Sequence, residues 1–363
     1  MTDPAKGLGR SRLRRDRLTL SLYAPFITWG WFLYGFSPAV PLIAEEQGIS
    51  RGQAGLHGTA MAVGTIGAGF ISSTIAVRYG RKVQSVLGAG ILVAGLAMLA
   101  VGTTLVMTLP AVVVIALGGN LALSAAQPAL AVHHGPAGPA AVTEANAVGA
   151  TFGLLAPVAL GFSVDQGWGW RPAVVATMLF AALAALLVAP LRTAGGLGRG
   201  TATPRPAAGQ PANARFSVLF WLFWAAMLCG IAVEFSTAFW APDLLVQRTG
   251  APTSLASASV SALVIGMSVS RFIVGPLSTR KAPEKLLLAA FAVAAVGWAV
   301  FWLATTPALA IVGLVVAGLG YGAHYPLSIA LALRASGGRP DQAQARCSMG
   351  GGAAVGVAPF ALG

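Results

Sequence analysis

Apolar residues in this chain fall in long stretches separated by short polar or basic segments. Eleven stretches come near the roughly 20 residues a helix needs to cross the hydrocarbon of a bilayer. They are Leu18–Ile43, Leu56–Val77, Val83–Val101, Thr104–Val132, Ala141–Val164, Trp170–Leu191, Phe216–Leu244, Ser254–Leu277, Leu286–Ala304, Ala308–Leu333 and Cys347–Gly363. Between the sixth and seventh lies Arg192–Arg215, rich in Gly, Ala, Pro and Arg, which reads as a flexible connector. The pattern therefore predicts an all-α polytopic membrane protein with a six-helix bundle in 1–191, a connector at 192–215, and five helices in 216–363.

Composition agrees with the pattern. The chain is 56% hydrophobic and 9% charged, where soluble domains carry about 25% charged residues. Its 46 glycines and 22 prolines are scattered through the apolar stretches, as expected where small residues let membrane helices approach closely. The net charge of +13 changes meaning once it is mapped onto the spans. With the N-terminus inside, nineteen of the 23 Lys and Arg lie on the cytoplasmic side and three, Arg51, Arg171 and Arg248, on the outer side. That bias sets orientation, and the basic residues act as topological anchors that need no nucleic acid. The basic start Arg10–Arg15 leads into a span too long for a signal-sequence core. Cys229 and Cys347 both fall inside apolar spans, which argues against a disulfide framework. The sequence has neither a phosphate-binding Gly-rich loop nor a Cys/His cluster, so no cofactor and no enzymatic activity are expected.

A charge signature occurs twice. Ser73–Lys82 ends the second span and Gly275–Lys281 ends the eighth, 202 positions later. The same offset relates Gly118 to Gly320, Gly149 to Gly351, and Ala156-Pro157 to Ala358-Pro359. Ordered matches of this kind point to duplication, and parallel six-span repeats are a transporter architecture. The sixth span then predicts a partner near 372–393, beyond Gly363. The expectation is a twelfth helix missing from this sequence, the alternative being an eleven-span variant.

The loop after the second span resembles the pattern Gly-x-Leu-Ala-Asp-Arg-x-Gly-Arg-Lys of the major facilitator superfamily. Arg78, Gly80, Arg81 and Lys82 match it, while Ser73 and Val77 stand at the Gly and Asp positions. The second copy keeps Gly275, Leu277 and Arg280 but has Thr279 at the Asp position. The resemblance implies two six-helix bundles, alternating access, and a gate at these basic loops, here without the usual acids. A narrower similarity links Val233–Trp240, Ser270–Gly275 and Gly318–Pro326 to the fucose/glucose-type sugar–proton symporters and their bacterial relatives. That likeness implies a substrate cavity between the halves, with Trp240 among its candidate lining residues.

Several intramembrane side chains are candidates for chemistry. Glu234 lies deep in the seventh span, where a carboxylate costs about 2.5–3.5 kcal/mol and must face protein or a wet cavity. It is a candidate proton-coupling acid, with a purely structural acid as the other reading. His324 has the same two readings. Arg271 sits nearer the cytoplasmic third, at a depth that argues against pairing with Glu234, and reads as a gate or anchor. Trp29, Trp31 and Tyr34 offer an aromatic face in the first span, Trp31 and Tyr34 being three residues apart. Asn120, Gln127 and Asn146 offer hydrogen bonds either to a hydroxylated ligand or to neighbouring helices. Glu144, near a helix start and close in sequence to His133 and His134, reads as a gate or capping acid. Gly149, Gly153, Pro157 and Gly161 form a small-residue stripe in the fifth span.

These readings converge on a secondary active transporter in a bacterial inner membrane. It would act as a monomer, driven by the proton gradient, and carry a small organic solute such as a sugar or related metabolite. The alternatives are proton-driven export of amphipathic compounds and a non-transporting receptor or truncated fragment.

Overall fold

Residues 13–200, 215–278 and 280–361 are described in the computed structural model. Outside them lie Arg10–Arg12 of the basic start, connector positions 201–214, Thr279 of the second motif, and the terminal Leu362 and Gly363. In chain order the helices are α1 (Arg17–Gln47), α2 (Arg51–Tyr79), α3 (Arg81–Val101), α4 (Leu105–His134), α5 (Gly138–Gly153) and α6 (Leu155–Asp165). They continue with α7 (Arg171–Val188), α8 (Val218–Thr249), α9 (Thr253–Leu277), α10 (Pro283–Leu303), α11 (Pro307–Arg334) and α12 (Pro340–Ala361).

Nine stretches among the described residues are long and apolar enough to cross a membrane. One of them, Leu105–Asp165, is 61 residues long. As a straight helix it would be about three bilayer cores in length, so it must fold back. It does so at Gly135 (φ 53°), followed by a 3₁₀ turn over Gly135–Ala137. Its return leg is α5 and α6, which break at Leu154. Counted as two passes, this stretch brings the total to ten. The eleventh expected span is α12, whose first turns carry Asp341, Gln342, Gln344 and Arg346 and are too polar for the same measure. It begins at Pro340, seven residues before the apolar run at Cys347, and that extension has functional weight.

Close helix contacts repeat with the chain. A Cβ placed on Gly118 of α4 would lie 2.4 Å from the Leu92 nitrogen and 2.7 Å from the Gly88 carbonyl of α3. On Gly320 of α11 it would lie 2.4 Å from the Ala294 nitrogen and 2.5 Å from the Ala290 carbonyl of α10. Each of these three positions is offset by 202. Gly64 against Val113 and Leu117, and Gly266 against Val315 and Leu319, repeat in the same way. The duplication legible in sequence is thus a duplication of backbone-to-backbone packing. Glycine serves this purpose where helices meet with no room for a side chain.

The end of the bundle carrying Arg15, Arg81 and the connector is called here the basic end. There, Arg15 grips Glu144 through two hydrogen bonds of 2.6 and 2.8 Å, and the Tyr23 hydroxyl donates to the same carboxylate at 2.8 Å. Asp16 caps α1 through the Thr19 amide and also meets His133 at 2.7 Å. Burial pushes the Asp16 carboxyl up, but hydrogen bonds from Thr19 and His133 outweigh it and hold the group at about 2. It therefore stays ionised at neutral and mildly acidic pH. This clamp ties α1 to α4 and α5. The connector is not loose throughout. Gly196 and Leu197 are buried, the Arg81 amide donates to the Gly198 carbonyl, and the Gly200 amide donates to Ala76.

The glycine stripe of the fifth span divides into two parts. A Cβ on Gly149 would meet Phe26 of α1 at 2.5 Å, and one on Gly153 would meet the Tyr34 ring at 2.4 Å. Gly161 has nothing within 4 Å. Across the crossing, a Cβ on Gly30 would lie 2.1 Å from the Gly149 carbonyl oxygen. Gly30→Ala should therefore force α1 off α5 and destabilise the fold by about 1–3 kcal/mol. Gly161→Ala should be within about 0.5 kcal/mol of neutral. Thermal melting of the two purified variants checks this, and equal melting temperatures would contradict the packing.

Candidate functional site

The two halves of the chain are joined most firmly at the basic end. Arg81 opens α3, a position where a cation opposes the helix dipole. Asp341 lies in the first turn of α12, where an acid is favoured. Arg81 Nε donates to Asp341 Oδ1 at 2.6 Å and Nη2 donates to Oδ2 at 2.7 Å, while Nη1 donates to the Gly196 carbonyl at 2.9 Å. The side chains are 4% and 2% exposed. The connector backs the pair so closely that a Cβ on Gly200 would lie 2.4 Å from Asp341 Oδ2. Arg81, in the first copy of a motif that lacks its usual acid, is therefore paired with an acid from the other half of the chain. Sequence reasoning missed it because the apolar run begins at Cys347, which left Asp341 in a presumed loop.

Toward the middle of the bundle, neutral polar contacts continue the closure. Ser124 of α4 and Ser348 of α12 share a hydrogen bond of 3.2 Å, and Gln344 Nε2 donates to Ser348 at 3.4 Å. Gln127 Nε2 donates to the Tyr325 hydroxyl of α11 at 3.1 Å, leaving the Gln127 Oε1 buried without a partner. Along their length, α2 and α12 meet through Gly69 against Ala345 and Met349, and through Gly352 and Gly356 against Ala62.

At mid-bundle, Arg271 of α9 reaches across the halves. Its Nη1 donates to the Tyr34 hydroxyl of α1 at 2.8 Å and its Nε donates to the Gly322 carbonyl at 3.2 Å. It also lies within electrostatic range of Glu234 on α8. No ion pair joins these two charges among the described residues, although side-chain direction narrows the gap that their depths along the helices set. Helical side chains tilt toward their own N-terminus. The antiparallel α8 and α9 therefore lean Glu234 and Arg271 toward each other. The half-buried Glu234 carboxylate makes no hydrogen bond or direct ion pair among the described residues. Beside it, Thr237 and Tyr321 share a hydrogen bond of 3.0 Å.

His324 is 2% exposed, stacked on Phe291 at 3.9 Å, and neither ring nitrogen has a hydrogen-bond partner of ordinary geometry. Trp31 and Tyr34 do not share a face. Trp31 packs on Phe180 of α7, while Tyr34 turns to Arg271, because three residues fall 60° short of a full helical turn. Trp29 lies against Gly119 of α4. Asn120 donates to Thr65 of α2 at 3.0 Å, and Asn146 donates to Val142 on its own helix. Trp240 is half-buried on α8. Of the motif residues, Arg78 lies exposed over the Tyr79 ring, Gly80 (φ 93°) turns the chain between α2 and α3, and Lys82 donates to the Leu191 carbonyl. Arg280 is exposed, and Glu144 is held within its own half by Arg15 and Tyr23. Among the described residues no three His, Cys, Asp or Glu side chains converge as a metal set.

Comparison with known proteins places this architecture. The Major Facilitator Superfamily profile matches residues 23–359. No curated protein matches the chain. Among solved structures, the E. coli fucose:proton symporter FucP is similar in its outward conformation. It superposes with a TM-score of 0.76 at 16% identity, covering 96% of this chain and 92% of FucP. The proton:xylose symporter XylE bound to 6-bromo-6-deoxy-D-glucose gives 0.74 at 12%, covering 95% and 87%. The human organic anion transporter MFSD10 gives 0.68 at 16%, covering 95% and 91%. The matched profile takes in both halves and the basic loop at Arg78–Lys82, and the chain belongs to the major facilitator superfamily of multi-pass membrane transporters.

Proposed function

We propose that this transporter couples proton movement to the passage of a sugar or similar polar metabolite by alternating access. The N-terminus and basic end would face the cytoplasm of a bacterial inner membrane, as the distribution of Lys and Arg favours. One observation carries the coupling: Arg271 donates to Tyr34 of the first half while lying within electrostatic range of Glu234 of the second, with no direct contact to it. Ionised Glu234 attracts the guanidinium and competes with its hydrogen bond to Tyr34. Protonated Glu234 releases that attraction, leaving Arg271 to Tyr34 or to an acceptor oxygen of the cargo. A proton on one carboxylate thereby changes how firmly the halves hold each other at mid-bundle. The Gln127 carbonyl oxygen, buried and unpartnered, provides a further acceptor for a hydroxylated cargo. The similarity to proton-coupled sugar carriers supports the same reading. It assigns α1, α8 and α9 to coupling, with Arg81 and Asp341 as the basic-end latch.

Glu234→Gln removes the charge while keeping the shape. In proteoliposomes with an imposed proton gradient it should abolish accumulation yet keep exchange of cargo across the membrane, assayed over a panel of sugars. Accumulation that keeps its dependence on pH would sink the coupling role. Asp341→Asn leaves the Arg81 guanidinium buried without its counter-charge, which should penalise the closed basic end by about 3–5 kcal/mol. Paired spin labels at the exposed positions Tyr79 and Arg346 should then report longer distances than in the parent protein. An unchanged distance distribution would remove the pair from the gate.

A further inference from the structure

A cavity of about 420 Å³ lies between the halves at the basic end, apart from the mid-bundle site. It is lined by the guanidinium-bearing residues Arg81, Arg199 and Arg334 and by the turn glycines Gly135, Gly195 and Gly338. No carboxylate lines it. Arg81 and Arg334 have counter-charges, in Asp341 and Glu284. Arg199 is exposed and makes no ion pair among the described residues. The cavity is thus bordered by the exposed Arg199 and Arg334, the Arg81 guanidinium being 4% exposed and already taken up by Asp341 and Gly196. The first turns of α5 and α12, which supply Gly138 and Pro340 to the wall, add partial positive charge. A smaller adjoining cavity shares Pro139 and Arg334 with it.

We propose that this cavity is a second binding site, separate from the transported solute's, for a phosphate group carried by a small metabolite or a lipid headgroup. Guanidinium forks match phosphate oxygens in geometry, and the volume suits a ligand of sugar-phosphate size. Arg199 belongs to the connector, docked on the first half, and Arg334 to α11 of the second. A phosphate held by them bridges elements that must separate when the basic end opens. Its binding stabilises the closed conformer and slows turnover, making the site an inhibitory one. The inference rests on the fold and this charge set and is independent of the cargo and of Glu234.

The test uses the full chain in nanodiscs of zwitterionic lipid, with inorganic pyrophosphate as the soluble probe and sodium chloride of equal ionic strength as the control. A saturable rise in melting temperature is expected with pyrophosphate alone. Arg199→Gln should raise the half-saturating concentration about tenfold, as loss of one charge-assisted contact implies, and Arg199→Glu should abolish the rise. Discs rich in phosphatidylglycerol form the second arm. If a headgroup fills the site, these discs raise the melting temperature without pyrophosphate, and Arg199→Glu reverses the gain. A response in the first arm assigns a soluble phosphate compound, and a response in the second alone assigns a lipid. No saturable response in either arm, or one that both Arg199 variants leave unchanged, overturns the proposal.

Discussion

A single buried ion pair governs how the two halves of this protein meet. Arg81 and Asp341 are 260 positions apart, almost fully excluded from solvent, and bonded bidentately through the Nε–Nη2 edge of the guanidinium. Such a pair is a poor source of net stability, because removing two charges from water costs nearly as much as their attraction returns. Its value lies in the asymmetry between paired and unpaired states. Separated inside protein, each charge would be left uncompensated, so the pair holds until water enters the gap. Separated into water, each is solvated and the cost is small. A contact with these properties favours two end states, closed and dry or open and wet, and disfavours what lies between. Alternating access needs that kind of bistability.

The pair works only because the helices that carry it are stiff. Within each half, helices approach through glycines whose missing side chains bring backbone against backbone, as where Gly118 of α4 meets α3 and Gly320 of α11 meets α10. Contacts this close leave few ways to deform, so motion is displaced to where the halves meet. The contacts there differ in kind. The Ser124–Ser348 and Gln127–Tyr325 contacts are neutral, single hydrogen bonds, each worth about 1 kcal/mol and readily exchanged for water. Strength is concentrated at the Arg81 end and in the Arg271 bridge at mid-bundle. The polar contacts between those two can unzip in sequence.

The long apolar runs, the 202-residue repeat and the distribution of basic residues made the helices and the family legible, because each rests on patterns spread over many positions. The site was legible only in part. Glu234, Arg271 and Tyr34 stood out as polar groups in apolar helices, but the bond of Arg271 to Tyr34 and its approach to Glu234 depend on side-chain directions on different helices, which spacing along one helix does not reveal. Asp341 was hidden for a different reason. It precedes the apolar run, so a hydropathy reading starts the helix too late by seven residues. Ser124, Gln344, Tyr325 and Ser348 carry no signal of their own, since a serine or glutamine facing the other half looks like one facing its own neighbour. The seating of Leu197 and Gly200 in a Gly- and Pro-rich connector was equally unreadable, because docking depends on partners distant in sequence.

The repeat sharpens the meaning of the latch. If the halves were equivalent, the contact between Arg81 and Asp341 would recur between the positions 202 residues after the first and before the second. Those positions are Pro283 and Pro139. They sit at the starts of α10 and α5, where proline is well tolerated because the missing amide hydrogen has no partner there in any case. Both line a small cavity of about 50 Å³ in place of a salt bridge. The Lys82 equivalent is Glu284, which pairs with Arg334 inside its own half. Duplication therefore supplied two similar bundles, and divergence left a charged latch on one flank of the pseudo-symmetry axis and prolines on the other. A gate fastened on one flank opens about the other. Under the proposed latch role, the contacts of α5 with α9 and α11, near the proline side, would serve as the fulcrum, and α3, α12 and the docked connector would travel farthest.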